Sequence, residues 1–208
     1  MEHFRIVRKL RKALEEQFPG HDGLMLAEKL CNAGITELTN EIKDRIEYLI
    51  SICKDFSFDG YWEMDLIATC SIDELCSRYE RFQKYCQETL CSAGFLVLST
   101  EEFDECSVYF KELGMSDEQQ KKLLSWVIKH GTISKTVEEM KKVVRALERF
   151  PVYTEVRNEF IVENADFLFN DYVRDISENV EKVIDAYGER YGFVELREHP
   201  EILRFGLG

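Results

Sequence analysis

Thr136-Val137-Glu138-Glu139-Met140-Lys141-Lys142-Val143-Val144-Arg145-Ala146-Leu147 opens on a hydroxyl and carries a glutamate three residues later. In a helix start of this kind the hydroxyl accepts from a first-turn N–H. The glutamate reaches back to the cap's own N–H, which completes a capping box. Val137, Met140, Val143, Val144, Leu147 and then Phe150 recur at helical spacing and form one apolar stripe. Lys141, Lys142, Arg145 and Arg149 fall away from its centre, and Pro151 ends the segment. The stretch reads as an amphipathic helix that must hide one side against a neighbour.

The same pattern recurs along the chain. Glu41-Ile42 with Leu49, Glu74-Leu75 with Phe82, Glu102-Phe103 with Phe110, and Glu139-Met140 with Leu147 each pair an acid with a large apolar residue further on. The glutamates are spaced by 33, 28 and 37 residues, and Ser71, Ser99 and Thr136 stand three positions before three of them. Helix starts recurring at intervals of about 20–50 residues are the mark of stacked helical repeats. Such arrays work by surface and curvature rather than by a catalytic pocket.

Outward from these starts the chain reads as helices throughout. Residues 4–17 carry Ile6, Leu10 and Leu14 on one face, and Pro19-Gly20 stops them. A short helix over 24–31 is ended by Gly34, and the next spans 37–52. Residues 54–60 read as a connector, with Phe56 and Phe58 pinned to the core. Ser71 opens a helix that ends near Gly94. The run 94–98 reads as a buried loop or single helical turn in preference to a short strand. Further helices run from Ser99 or Thr100 to Gly114, from a second capping box (Ser116 with Gln119) to His130 and Gly131, over 154–175, and over 178–190. The apolar tail from Phe193 to Gly208 should dock. The expected fold is therefore all-α, an irregular, solenoid-like helical-repeat array of about eight to ten helices. It forms one domain over 1–208, with 1–35 as an N-terminal cap, 36–150 as repeats and 151–208 as acidic C-terminal helices.

A chain of 208 residues with fourteen Phe and nine Tyr can bury a core without staples, which argues against disorder. No run approaches the roughly 18 apolar residues of a spanning helix. No apolar segment follows the N-terminal basic residues, which argues against a secretory signal. Those residues also fit a mitochondrial presequence, although Glu2, Glu15 and Glu16 run against it. The seven cysteines are odd in number and lack C-x-x-C spacing, so they read as reduced, mostly buried thiols in a cytoplasmic or other reducing compartment.

The net charge of −13 is uneven. Residues 1–19 carry +2, 20–107 carry −11, 108–150 carry +3 and 151–208 carry −7. An acidic body repels phosphate backbones, so nucleic acid would have to meet the local basic segments.

Residues 108–147 resemble the repeat of the mitochondrial transcription termination factor family. A helix ends in Leu113-Gly114, Met115-Ser116-Asp117-Glu118-Gln119 opens an apolar helix, and a link through Ile133 and Ser134 leads to Thr136 and Glu139-Met140. The link has no proline where that family usually places one. The resemblance implies helix pairs stacked into a curved array, commonly around nucleic acid.

No glycine-rich phosphate loop, nucleophile elbow or H-E-x-x-H spacing is present, so the chain reads as non-enzymatic, with no catalytic residue, cofactor or metal expected. Glu159, Glu163 and Asp166 share a face of the helix over 154–175 and read as a solvated acidic surface. His130 reads as a cation at a helix C-terminus. Candidate nucleic-acid or anion contacts are Lys121, Lys122, Lys129, Lys141, Lys142 and Arg145, which converge if their two helices form an antiparallel pair. Arg5, Arg8, Lys9 and Lys12, with Arg11, are candidate partner contacts on an end-capping helix. The favoured reading is a protein-binding or regulatory module that offers a basic protein its acidic face. Nucleic-acid binding is second, and an enzyme of unrecognised class third.

Overall fold

The computed structural model of the chain describes residues 2–131, 134–170 and 176–206. Among them are twelve α-helical segments, one 3-10 turn and no strand, apart from an isolated bridge between Ser134 and Asn170. The all-α expectation holds, and the helices outnumber the eight to ten expected. The chain divides into two compact units, residues 1–100 and 101–208.

In the first unit α1 (Glu2–Gln17) packs on α2 (Leu24–Asn32), and α2 packs on α4 (Tyr61–Thr69). Helix α3 (Asn40–Ile52) packs on α4 and on α5 (Ile72–Cys86), and the 3-10 turn Ala93–Leu96 lies against α4 and α5. Leu10, Leu14, Leu26, Leu30, Ile46, Leu49 and Phe82 are fully buried here. Their spacing along each helix explains the packing, since each stripe is hidden by the next element.

The second unit contains α7 (Asp117–His130), α8 (Val137–Leu147), α9 (Thr154–Glu163), α10 (Ala165–Leu168), α11 (Ile176–Glu198) and α12 (Ile202–Phe205), after α6 (Thr100–Glu112). Helix α7 packs on α9, α8 on α11, α10 on α9 and α12, and α11 on α12. Phe193 lies 5.6 Å from Phe150 and 5.4 Å from Phe160, ring centre to ring centre.

All four recurring glutamates occupy first turns. Complete capping boxes form at Thr136 with Glu139 and at Ser116 with Gln119. At Ser71 only half a box forms. The hydroxyl accepts from the Glu74 N–H at 3.2 Å, but the Glu74 carboxylate turns to Arg78 and Thr100. At the first start the cap is Thr39, so the helix expected over 37–52 begins at Asn40.

The first unit repeats one further device. Arg45 follows Glu41 by four residues, and its Nη1 donates to the carbonyls of Ile67 and Cys70 at 2.8 and 2.6 Å. Arg78 follows Glu74 by four residues, and its Nη1 donates to the carbonyls of Leu96 and Val97, both at 2.9 Å. Each buried guanidinium thus satisfies orphan carbonyls where a later helical segment ends. Two helices end in Schellman motifs. After α2, Gly34 (φ +82°) donates to Cys31 and Ile35 donates to Leu30; after α6, Gly114 (φ +69°) donates to Lys111 and Met115 to Phe110.

Several boundaries differ from the sequence expectation. Helix α4 went unread because its polarity does not follow its burial: Glu63 shares the buried face with Met64, Leu66 and Ile67 while Tyr61 is exposed, and its cap, Gly60, has no side chain. The helix expected over 154–175 stops at Glu163, where Asn164 leaves helical geometry and its amide bonds the Phe160 carbonyl. Residues 171–175 of that expectation lie outside the described residues, as does Ile133 of the 108–147 link. The helix expected over 178–190 runs from Ile176 to Glu198, with a break at Gly188 (φ +75°, ψ 165°). The run 94–98 is a 3-10 turn followed by Val97 and Leu98. Gly131 ends α7 in a right-handed conformation, φ −53°.

Candidate functional site

Helix α9 is sided by charge. Phe160 and Ile161 point into the second unit, while Glu155, Glu159 and Glu163 follow one another at four-residue intervals on an exposed stripe. The stripe borders an open cleft of about 490 Å³. The facing wall comes from the α6–α7 turn and the first turns of α7: Gly114, Ser116, Glu118, Gln119 and Lys122. The Ser116 capping box fixes this wall, because Ser116 and Gln119 exchange bonds of 3.0 and 3.3 Å. Glu118 and Lys122 form an exposed ion pair at 3.0 Å. The three α9 carboxylates have no ion-pair partner among the described residues.

Asn158 lines the same cleft and is only 1% exposed. Its Nδ2 donates to the Leu113 carbonyl at 2.9 Å, where α6 ends. That bond fixes the orientation of the amide and leaves Oδ1 without a donor among the described residues. Among the described residues the cleft thus combines three carboxylates without an ion-pair partner and one amide oxygen without a donor, a set of hydrogen-bond acceptors chemically matched to a cationic N–H donor. Among the described residues no group of three or more His, Cys, Asp and Glu has metal-holding geometry, and no helix is long and apolar enough to cross a membrane.

The basic residues singled out by sequence lie on three helices. Lys121, Lys122 and Lys129 are on α7, and Lys141, Lys142 and Arg145 are on α8. The main packing partner of α7 is α9 and that of α8 is α11, so the condition under which these residues would converge, α7 and α8 as a packed pair, is not their main packing. Lys122 lines the cleft, while Lys129 is half-buried. Lys141 bonds Glu138 at 2.7 Å and lies 5.8 Å from the Tyr109 ring centre. The hydrogen bond and charge of Lys141 hold the Glu138 carboxyl below its ordinary range. Lys121, Lys142 and Arg145 are exposed and have no ion-pair partner among the described residues. On α1, Arg5, Arg8, Lys9 and Lys12 are exposed, with Lys9 at 3.9 Å from Glu37 and Lys12 at 3.6 Å from Glu16.

Asp166 does not share the α9 face with Glu159 and Glu163. It lies on α10, beyond the break at Asn164, and accepts from the Trp126 indole N–H at 2.6 Å. His130 closes α7, stacks on Trp126 and places Nδ1 2.9 Å from the Trp126 carbonyl. The sequence signal for the cleft was Glu155 preceding Glu159 and Glu163 at the same interval. Asn158 carried no signal, because a polar residue in an acidic helix stretch ordinarily faces solvent.

No protein-family model matches the chain, and no curated protein or solved structure matches it.

Proposed function

We propose that this protein is a non-enzymatic interaction module that offers an acidic surface to a basic protein partner. The observation that carries this reading is the unpaired carboxylate stripe of α9 beside the 490 Å³ cleft, in a chain of net charge −13. Like charges four residues apart on a helix repel, so the stripe costs the free protein stability that a cationic partner would return. The helices then act as modules of an irregular repeat array. Supporting this, the four glutamates all sit at helix starts, and the Glu41–Arg45 and Glu74–Arg78 devices recur 33 residues apart.

The test is fluorescence anisotropy with a labelled basic peptide and a labelled single-stranded oligonucleotide, each at low and high salt. The proposal expects the peptide to bind at low salt and to be released as salt rises. Absence of peptide binding at low salt overturns it.

A second reading, nucleic-acid binding in the manner of transcription termination factors, draws support from Lys121, Lys142 and Arg145, exposed without an ion-pair partner among the described residues. It expects the oligonucleotide to bind at low salt and the double substitution Lys141→Glu, Lys142→Glu to abolish binding. No shift at low salt removes this reading.

A further inference from the structure

We infer that the cleft between α7 and α9 is a guanidinium subsite, which takes an arginine side chain of the basic partner. The inference rests on the protein-binding reading above and names its site.

The acceptors are arranged for a planar, multiply donating cation. Glu155, Asn158, Glu159, Val162 and Glu163 form one stripe of α9 by helical spacing, and all five line the cleft. A guanidinium has five N–H donors in a fixed fork, so it can grip one carboxylate with two parallel bonds and still present an N–H to an amide oxygen. The Asn158 Oδ1 is such an oxygen, buried and lacking a donor. Val162 supplies apolar surface on the same stripe, against which an arginine stem can lie. A lysine ammonium is a compact, strongly hydrated point charge and does not use this spread of acceptors as fully. Among the described residues that line the cleft Lys122 is the one cationic side chain, and Glu118 already pairs with it at 3.0 Å.

A metal ion fits the cleft less well. Carboxylates at four-residue intervals have Cβ atoms roughly 5–6 Å apart on the helix surface, and the described residues form no metal-holding group of three. The cleft volume, about 490 Å³, suits a side chain with its flanking backbone.

The test uses fluorescein-labelled hexa-arginine and hexa-lysine peptides with the full-length protein, read by anisotropy at low salt. One variant carries Glu155→Gln, Glu159→Gln and Glu163→Gln. A control carries Asp44→Asn, Glu47→Gln and Asp55→Asn, three exposed acids of the first unit, and so loses the same formal charge. The proposal expects the arginine peptide to bind more tightly than the lysine peptide. It also expects the cleft variant to lose about tenfold in affinity, and the control about twofold or less. Circular dichroism melts confirm that both variants fold. Equal losses in the two variants overturn the subsite and leave the acidic-surface reading standing. Equal affinity for the two peptides overturns the guanidinium assignment. No binding by the unsubstituted protein overturns both.

Discussion

Arg78 donates from Nε to the Glu74 carboxylate at 2.8 Å, one turn away on α5, while its Nη1 holds the carbonyls of Leu96 and Val97. The carboxylate in turn accepts from the N–H and the hydroxyl of Thr100, both at 3.0 Å. One ion pair thus ties the start of α5, the end of the 3-10 turn and Thr100 together. The Arg78 side chain is 9% exposed and that of Glu74 30%, so solvent screens the pair only in part.

Replacing Arg78 with Met should destabilise the first unit by about 2–3 kcal/mol, because it removes the donor to the Leu96 and Val97 carbonyls and the charged partner of Glu74, which keeps only its bonds from Thr100. The unit has its own reporter: the chain's two tryptophans are Trp62 in the first unit and Trp126 in the second. In a Trp126→Phe background, urea unfolding followed by Trp62 fluorescence measures the effect. A change below about 0.5 kcal/mol would show that these bonds are replaced by water without loss.

The same pair makes acid stability depend on Glu74. Burial pushes the carboxyl up, but the bonds from Arg78 and from both Thr100 donors outweigh it, and the net shift is downward from 4.5. A carboxyl lowered in the folded state stabilises it fully above the unfolded value. That contribution is lost as pH falls through the folded value. Stability of the first unit should therefore decline below about pH 4.5, and Glu74→Gln should flatten that part of the profile. Trp62-detected urea midpoints across pH 3 to 7 decide the matter, and identical slopes for both proteins would refute the assignment.

What was readable in the sequence was what local chemistry fixes. The α8 stripe gave Met140, Val143, Val144 and Leu147 as buried, and the hydroxyls at 116 and 136 gave two complete capping boxes. What was unreadable depends on partners distant in sequence. Arg45 and Arg78 look like surface charges on helices, and nothing local says that they serve carbonyls 18 to 25 residues further on. Helix α4 buries an acid, Glu63, beside Met64, Leu66 and Ile67 and exposes Tyr61, so its hydrophobic pattern does not mark its buried face. Asn158 was missed for the first reason, since its bond to Leu113 spans 45 residues.

Gly114 should resist substitution for reasons of backbone alone. A Cβ added there meets nothing within 4 Å, so only the left-handed conformation at φ +69° opposes it. Gly114→Ala should cost about 1–2 kcal/mol. Gly114→Asn should cost less, because asparagine tolerates that region. Chemical denaturation read by Trp126 in a Trp62→Phe background measures both. Equal costs would point to a contact rather than to backbone strain.

The caps of α7 and α8 should contribute separately. Thr136→Ala removes the acceptor for the Glu139 N–H and a donor to its carboxylate, and should cost about 1 kcal/mol. Ser116→Ala should cost a similar amount at α7, and also loosen the wall that faces Glu155 and Glu159 across the cleft. The two substitutions share no bonding partner, so the double variant should lose the sum within about 0.5 kcal/mol. A larger discrepancy in the Trp126-monitored unfolding would show that α7 and α8 are energetically coupled.

Thiol reactivity gives a last and independent reading of the packing. Cys53 and Cys106 are buried, and desolvation pushes both thiols up to about 12; burial also raises Cys70. The reactive species is the thiolate, so raised and inaccessible thiols should be inert near neutral pH. Cys91 is exposed, and Cys31, Cys76 and Cys86 are half-buried. Titration of the folded protein with a chromogenic disulfide should label Cys91 first and those three more slowly. Cys53, Cys70 and Cys106 should react only once denaturant is added. Mass spectrometry of the labelled peptides identifies the order. Early labelling of Cys106 would mean that α6 opens far more readily than the burial of Phe103, Tyr109 and Phe110 beside it allows.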